Sequence, residues 1–143
     1  MALPYVTTYL VARPDEDFPL EHPYVADFYT PLLGPTSVAF LRWVGHHLNP
    51  DQPTEVDLTE LAARLGLQRS LSRHAPLMRT ISRLCVFNLT AWNPEPNLDT
   101  DGRLLIVDHL PPISNRQVAR WPKALAAEHH EALNRYRRLG RSA

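Results

Sequence analysis

Residues 58–92, LTELAARLGLQRSLSRHAPLMRTISRLCVFNLTAW, limit the possible folds more than any other stretch of this chain. Leu58, Leu61, Ala62 and Leu65 recur at helical spacing and stop at Gly66, where glycine can close a helix in the left-handed conformation. After a polar connector, Leu77, Ile81 and Leu84 line one face of a second helical period. Pro76 decides where that helix starts, because proline is tolerated in the first turn but costs ~3 kcal/mol inside. The spacing therefore predicts a regular helix over 76–85 and leaves 67–75 as a basic connector with at most one turn of its own. Asn88 stands where the chain must leave the helix, and asparagine tolerates positive φ. Phe87 to Trp92 is rich in strand formers. The order is helix, turn, helix, strand.

The flanks extend this order. Residues 4–12 carry β-branched and aromatic side chains and are predicted to form a strand. Residues 13–23, with three prolines and four acids, read as an exposed loop. Tyr24, Val25, Phe28 and Tyr29 suggest one or two helical turns limited by Pro31, since the residue before a proline is pushed out of the helical region. After the turn Gly34-Pro35-Thr36, a helix capped by Thr36 or Ser37 is expected over 37–48. It is apolar around most of its circumference, as a central helix should be, with Arg42, His46 and His47 wet. Residues 54–58 alternate as a short strand, and Asp57 or Thr59 can cap the helix that follows. A second strand over 103–109 pairs with 87–92 across a loop of Asn, Asp, Pro and Gly at 93–102. That loop is acidic, with Glu95, Asp99 and Asp101 against Arg103. Ser114-x-x-Gln117 is a capping-box pattern, and a final helix is predicted from Pro122 to about Leu139. The apolar side of that helix, Leu125, Ala132, Leu133 and Tyr136, packs either on its own chain or on a second copy.

With 143 residues and no internal repeat or linker, the chain is expected to form a single domain. Lys plus Arg and Asp plus Glu both number 15, so any affinity for a polyanion must come from local segregation of charge. Segregation is present. Between Leu61 and Pro94 there are five arginines and no acid, whereas Asp15, Glu16, Asp17, Glu21 and Asp27 crowd an earlier stretch without a base. One cysteine, Cys85, excludes an internal disulfide and a multi-cysteine zinc site. The histidines include two adjacent pairs, His46-His47 and His129-His130, whose members diverge by about 100° on a helix, and no H-x-x-x-H spacing occurs. No metal and no cofactor are expected. Without a G-x-S-x-G context or a glycine-rich phosphate loop, the chain reads as a non-enzyme. The N-terminus lacks the pattern of a secretory signal, and no window approaches ~18 apolar residues, so a cytoplasmic location away from membranes is expected.

The segments LTELAARLGL at 58–67 and RLCVFNL at 83–89, followed by the strand pair, resemble the winged helix-turn-helix superfamily over roughly 34–109. A looser similarity, carried by Tyr29-x-Pro31-Leu32-Leu33-Gly34-x-x-Ser37-Val38, is to the N-terminal winged helix of the DnaD/DnaB replication-initiation family. Ala75-Pro76-Leu77-x-Arg79-Thr80 also looks like small actinobacterial proteins. The resemblance implies an α+β fold, mostly α: a winged helix-turn-helix core with an extra N-terminal segment and a C-terminal helical extension at 113–140. It further implies that the helix at 76–85 reads the major groove through Arg79, Thr80 and Arg83.

Arginine forks suit phosphate and guanine edges. The candidate contacts to double-stranded DNA are Arg69, Arg73, Arg79, Thr80, Arg83 and Arg103. The opposing reading of these arginines is a solvated face. Arg64 equally suits a pair with Glu60, and Arg135, Arg137, Arg138 and Arg141 suit either phosphate or the helix C-terminal dipole. The expectation is a small DNA-binding transcriptional regulator, with a homodimer through the 122–139 helix as one arrangement. The alternative is a winged helix used to bind a protein partner in replication initiation or a larger assembly, which the neutral charge and the acidic loop favour.

Overall fold

A computed structural model describes residues 5–13, 18–96 and 101–140 of the chain, which is α+β and mostly helical. Strand β1 (Tyr5–Val11) comes first, and a short strand β2 (Phe18–Pro19) follows. A wide π-helical turn, Val25–Tyr29, runs directly into α1 (Thr30–Leu33). Pro31 does not end the helical path as expected. It falls in the first turn of α1, where an N–H has little to lose, and Thr30 stays helical with its hydroxyl donating to the Ala26 carbonyl at 2.6 Å.

Gly34 turns the chain at φ 90°, a value that favours glycine, and Pro35 opens α2 (Pro35–His47). The helix thus starts two residues earlier than predicted. Neither Thr36 nor Ser37 caps it, because both lie inside the first turn. Val38, Phe40, Leu41 and Val44 of α2 are buried, as its composition requires.

Strand β3 (Thr54–Asp57) leads into α3 (Leu58–Arg64), and the Asp57 side chain caps it, accepting from the Thr59 and Glu60 N–H groups at 2.9 and 3.2 Å. At its other end, Gly66 at φ 74° allows a closed C-terminal motif, in which Leu67 N–H donates to Ala62 O and Gly66 N–H to Ala63 O. Helix α4 (Pro76–Val86) begins at Pro76 as predicted. It ends in the same hydrogen-bond pattern, with Asn88 at φ 60° in place of glycine. Because Phe87 to Leu89 make this turn, β4 (Thr90–Trp92) starts three residues later than expected. It pairs antiparallel with β5 (Gly102–Val107).

The sheet order is β3-β1-β5-β4. Strand β1 lies between β3 and β5, antiparallel to the first and parallel to the second. Val6, Leu104 and Ile106 face inward, where one hydrophobic cluster joins them to Leu58 and Leu61 of α3 and to Leu77, Ile81 and Leu84 of α4. Asp108 ends β5, and β6 (His109–Leu110) pairs with β2. The segment expected as an exposed loop therefore holds a strand bridge and the buried Leu20, while residues 14–17 lie outside the described residues.

After α5 (Asn115–Val118), capped by Ser114, the long α6 (Lys123–Gly140) returns across the N-terminal segment. Ala132 and His129 are buried, and Leu125, Leu133 and Tyr136 pack against the core. The apolar side of α6 from Leu125 to Tyr136 thus packs within its own chain, while Leu139 near its end is exposed. At the centre of this contact, the fully buried Tyr24 hydroxyl accepts the Ile113 N–H at 2.8 Å and bonds His129 Nε2 at 2.7 Å. Among the described residues no helix is long and apolar enough to cross a membrane.

Candidate nucleic-acid interface

Helix α4 is strongly two-sided. Leu77, Ile81 and Leu84 are buried, while Arg79, Ser82, Arg83 and Val86 are exposed. Arg79 and Arg83 stand one turn apart on the outer side. Thr80 lies beside them on the flank rather than on the outer side. At about 100° per residue it falls only about 40° from Leu84, on the flank of the apolar face. It is 8% exposed and its hydroxyl donates to the Pro76 carbonyl at 2.8 Å, so it lines the groove beside α4 from the helix flank with its proton already engaged.

The outer side of α4 forms one wall of a groove of about 680 Å³. The opposite wall is the α1–α2 corner, Leu33 to Ser37, and Arg73 and His74 of the connector also line the groove. Arg83 spans the two walls. Its Nη2 donates to the Leu32 carbonyl at 3.4 Å, and its guanidinium carbon lies 5.9 Å from the centre of the Phe87 ring. Arg73 and Arg79 make no hydrogen bond or ion pair among the described residues, and no carboxylate lines the groove. An uncompensated cluster of three guanidinium groups creates a locally positive potential on a chain whose net charge is zero.

The remaining candidates lie apart from this cluster. Arg69 is exposed on the connector but does not line the groove. Arg103 alternates with the inward-facing Gly102 and Leu104 on β5, so it projects from the outer sheet face. Helix α4 packs on the inner face, where Thr90 contacts both Cys85 Sγ and the Ile81 carbonyl. Arg103 therefore stands on the opposite side of the sheet from Arg79 and Arg83. Arg64 pairs with Glu60 at 2.8 Å. In the β4–β5 loop Glu95 and Asp101 are exposed, and Asp99 lies outside the described residues.

Sequence reasoning missed His74, whose only signal was its place beside Arg73. It also assigned Thr36 and Ser37 to capping, although both line the groove. Compared with known proteins, the chain matches no family model, no curated protein and no solved structure.

Proposed function

We propose that the chain binds double-stranded DNA as a winged-helix protein, with the outer side of α4 directed at the major groove, and that it acts as a transcriptional regulator. The observation that carries this reading is the groove lined by Arg73, Arg79 and Arg83 without a carboxylate. The order α2, β3, α3, α4, β4, β5 also runs as a winged helix runs, and β1 is an addition placed between two of its strands. Arg79 is free to reach base edges or phosphates, Arg83 keeps donors beyond the one it gives the Leu32 carbonyl, and Arg73 adds a contact from the connector. Arg69 and Arg103 contribute through the general field rather than within the groove.

The test is duplex binding followed by fluorescence anisotropy at low and moderate salt. Wild type binds with salt-dependent affinity, and the double variant Arg79→Ala plus Arg83→Ala binds much more weakly. Equal, weak binding of every duplex by both proteins would overturn the proposal.

A second reading, a protein-interaction module, draws on the outer face of the sheet. Tyr5 and Val11 are 51% and 41% exposed there, beside the half-buried Tyr9, Leu105 and Val107. Such an apolar sheet face suits a protein partner better than it suits DNA.

A further inference from the structure

We propose that the α1–α2 corner is a seat for a phosphate group, completing from the other wall the groove that α4 lines with arginine. A hydrogen-bond account of the first turn of α2 leads there. Gly34 N–H donates to the Thr30 carbonyl at 2.8 Å, Pro35 has no N–H, and Val38 N–H donates to the Gly34 carbonyl at 3.3 Å. The N–H groups of Thr36 and Ser37 remain, with no acceptor among the described residues and no side-chain cap. Uncapped donors at the positive end of a 13-residue helix favour an anion.

A second observation is independent of the helix end. Ser37 is only 3% exposed, lines the groove, and its hydroxyl has no hydrogen-bond partner among the described residues. Unlike Trp43 Nε1, which is buried without a partner, the Ser37 hydroxyl keeps an opening to solvent on this nearly buried residue, where a ligand oxygen in the groove can pair with it. The cations face the same space: Arg83 reaches the Leu32 carbonyl two residues before Gly34, and Arg73, His74 and Arg79 line the remainder. Two N–H groups, two hydroxyls and three guanidinium groups converge on a groove without an acid. That donor set, rich in N–H and O–H and lacking negative charge, matches a tetrahedral phosphate.

The seat rests on the DNA reading only for the identity of its occupant. A backbone phosphate of duplex DNA and a free phosphorylated small molecule share the chemistry, and the experiment separates them. Amide resonances of ¹⁵N-labelled full-length protein are followed during titration with inorganic phosphate and, separately, with a short DNA duplex. Two variants accompany the wild type. Thr36→Asp places a carboxylate at the seat in a helical first turn, where an acid favours folding. Ala39→Asp makes the same charge change at an exposed position of α2 that does not line the groove. Thermal unfolding verifies that both fold.

The expected result is saturable movement of the Thr36 and Ser37 resonances with inorganic phosphate, abolished in Thr36→Asp and kept in Ala39→Asp. Duplex affinity falls about tenfold in Thr36→Asp, as for one lost charge-assisted contact, and the salt slope shrinks by ~0.9. If phosphate moves these resonances but no duplex binds, the seat stands with a small phosphorylated molecule as occupant, and the DNA reading falls. If duplex binds with salt slope and affinity unaltered by Thr36→Asp, the DNA reading stands and the seat is overturned. Phosphate shifts that are absent, or identical in Thr36→Asp, also overturn the seat.

Discussion

Replacing Tyr24 by Phe removes one oxygen and strands two partners. The hydroxyl accepts the Ile113 N–H at 2.8 Å and meets His129 Nε2 at 2.7 Å, and all three residues are buried, with exposures of 0%, 5% and 3%. Each orphaned buried polar group costs ~1–3 kcal/mol, offset in part by the lower desolvation of the phenyl ring. A net loss of about 3 kcal/mol is expected, which for a domain of this size lowers Tm by roughly 10 °C.

The same contact links stability to pH. The Tyr24 oxygen accepts from Ile113 and keeps its own proton for His129, whose Nε2 accepts it when the ring is neutral with its proton on Nδ1. Burial, together with the charges on His130 and Arg137, lowers the His129 pKa below its ordinary value near 6.5. Burial of Tyr24 raises its own pKa to about 12, which keeps the hydroxyl protonated as a donor. Between the folded-state value of His129 and 6.5 the unfolded chain binds more protons, so stability is full above pH ~6.5 and is lost as pH falls through the folded pKa. His22, lowered mainly by burial, acts in the same direction.

Urea unfolding of wild type, Tyr24→Phe, His129→Gln and the double variant at pH 7.5 and 5.5 tests both points. Tyr24→Phe is strongly destabilised, the double variant loses less than the sum of the single losses, and His129→Gln shows a shallower fall towards acid. A Tyr24→Phe protein within about 0.5 kcal/mol of wild type would refute the account of this contact.

Two further outcomes follow from local geometry. Asp57→Ala removes the acceptor for two N–H groups at the start of α3 and should cost ~1 kcal/mol in thermal or urea unfolding, whereas Asp57→Asn should retain most of the stability. Gly45→Ala should destabilise by ~1–3 kcal/mol despite its helical position, because the added Cβ would lie 2.9 Å from Leu20 Cβ and 3.0 Å from the Glu21 backbone nitrogen. A Tm equal to or above wild type for Gly45→Ala would mean that α2 and the segment at 20–21 do not approach so closely.

The elements that could be read from the chain alone are those whose signals are local. Asp57, Gly66, Pro76 and Asn88 each impose a backbone requirement within a few residues, and each does in the structure what its chemistry demands. Long-range pairing leaves no such mark. Nothing local places β1 between β3 and β5, and nothing links Tyr24 to a histidine 105 residues away. The strand bridge between Phe18–Pro19 and His109–Leu110 was hidden by prolines that also suit a loop.

The site was legible in part. The run of arginines without acids at 61–94 survives as Arg73, Arg79 and Arg83 around one groove. Thr80 also lines this groove, but from the flank of α4 and nearly buried, which helical spacing alone does not separate from the outer side. The position of Arg103 on the outer sheet face could not be read, because RLLIV is apolar on both sides of the strand and conceals which residues face inward. Thr36 and Ser37 were read for what they could give a helix, not for the donors their own backbone leaves open.

The most direct test of the central claim is the salt dependence of duplex binding by wild type and by a variant with Arg73, Arg79 and Arg83 all changed to Ala. Each guanidinium group that neutralises a phosphate contributes ~0.9 to the slope of log K against log salt. The account predicts a wild-type slope that becomes shallower by roughly 2–3 in the triple variant, with a large loss of affinity at ~0.1 M salt. An unchanged slope, or no salt-dependent binding by wild type, would contradict it.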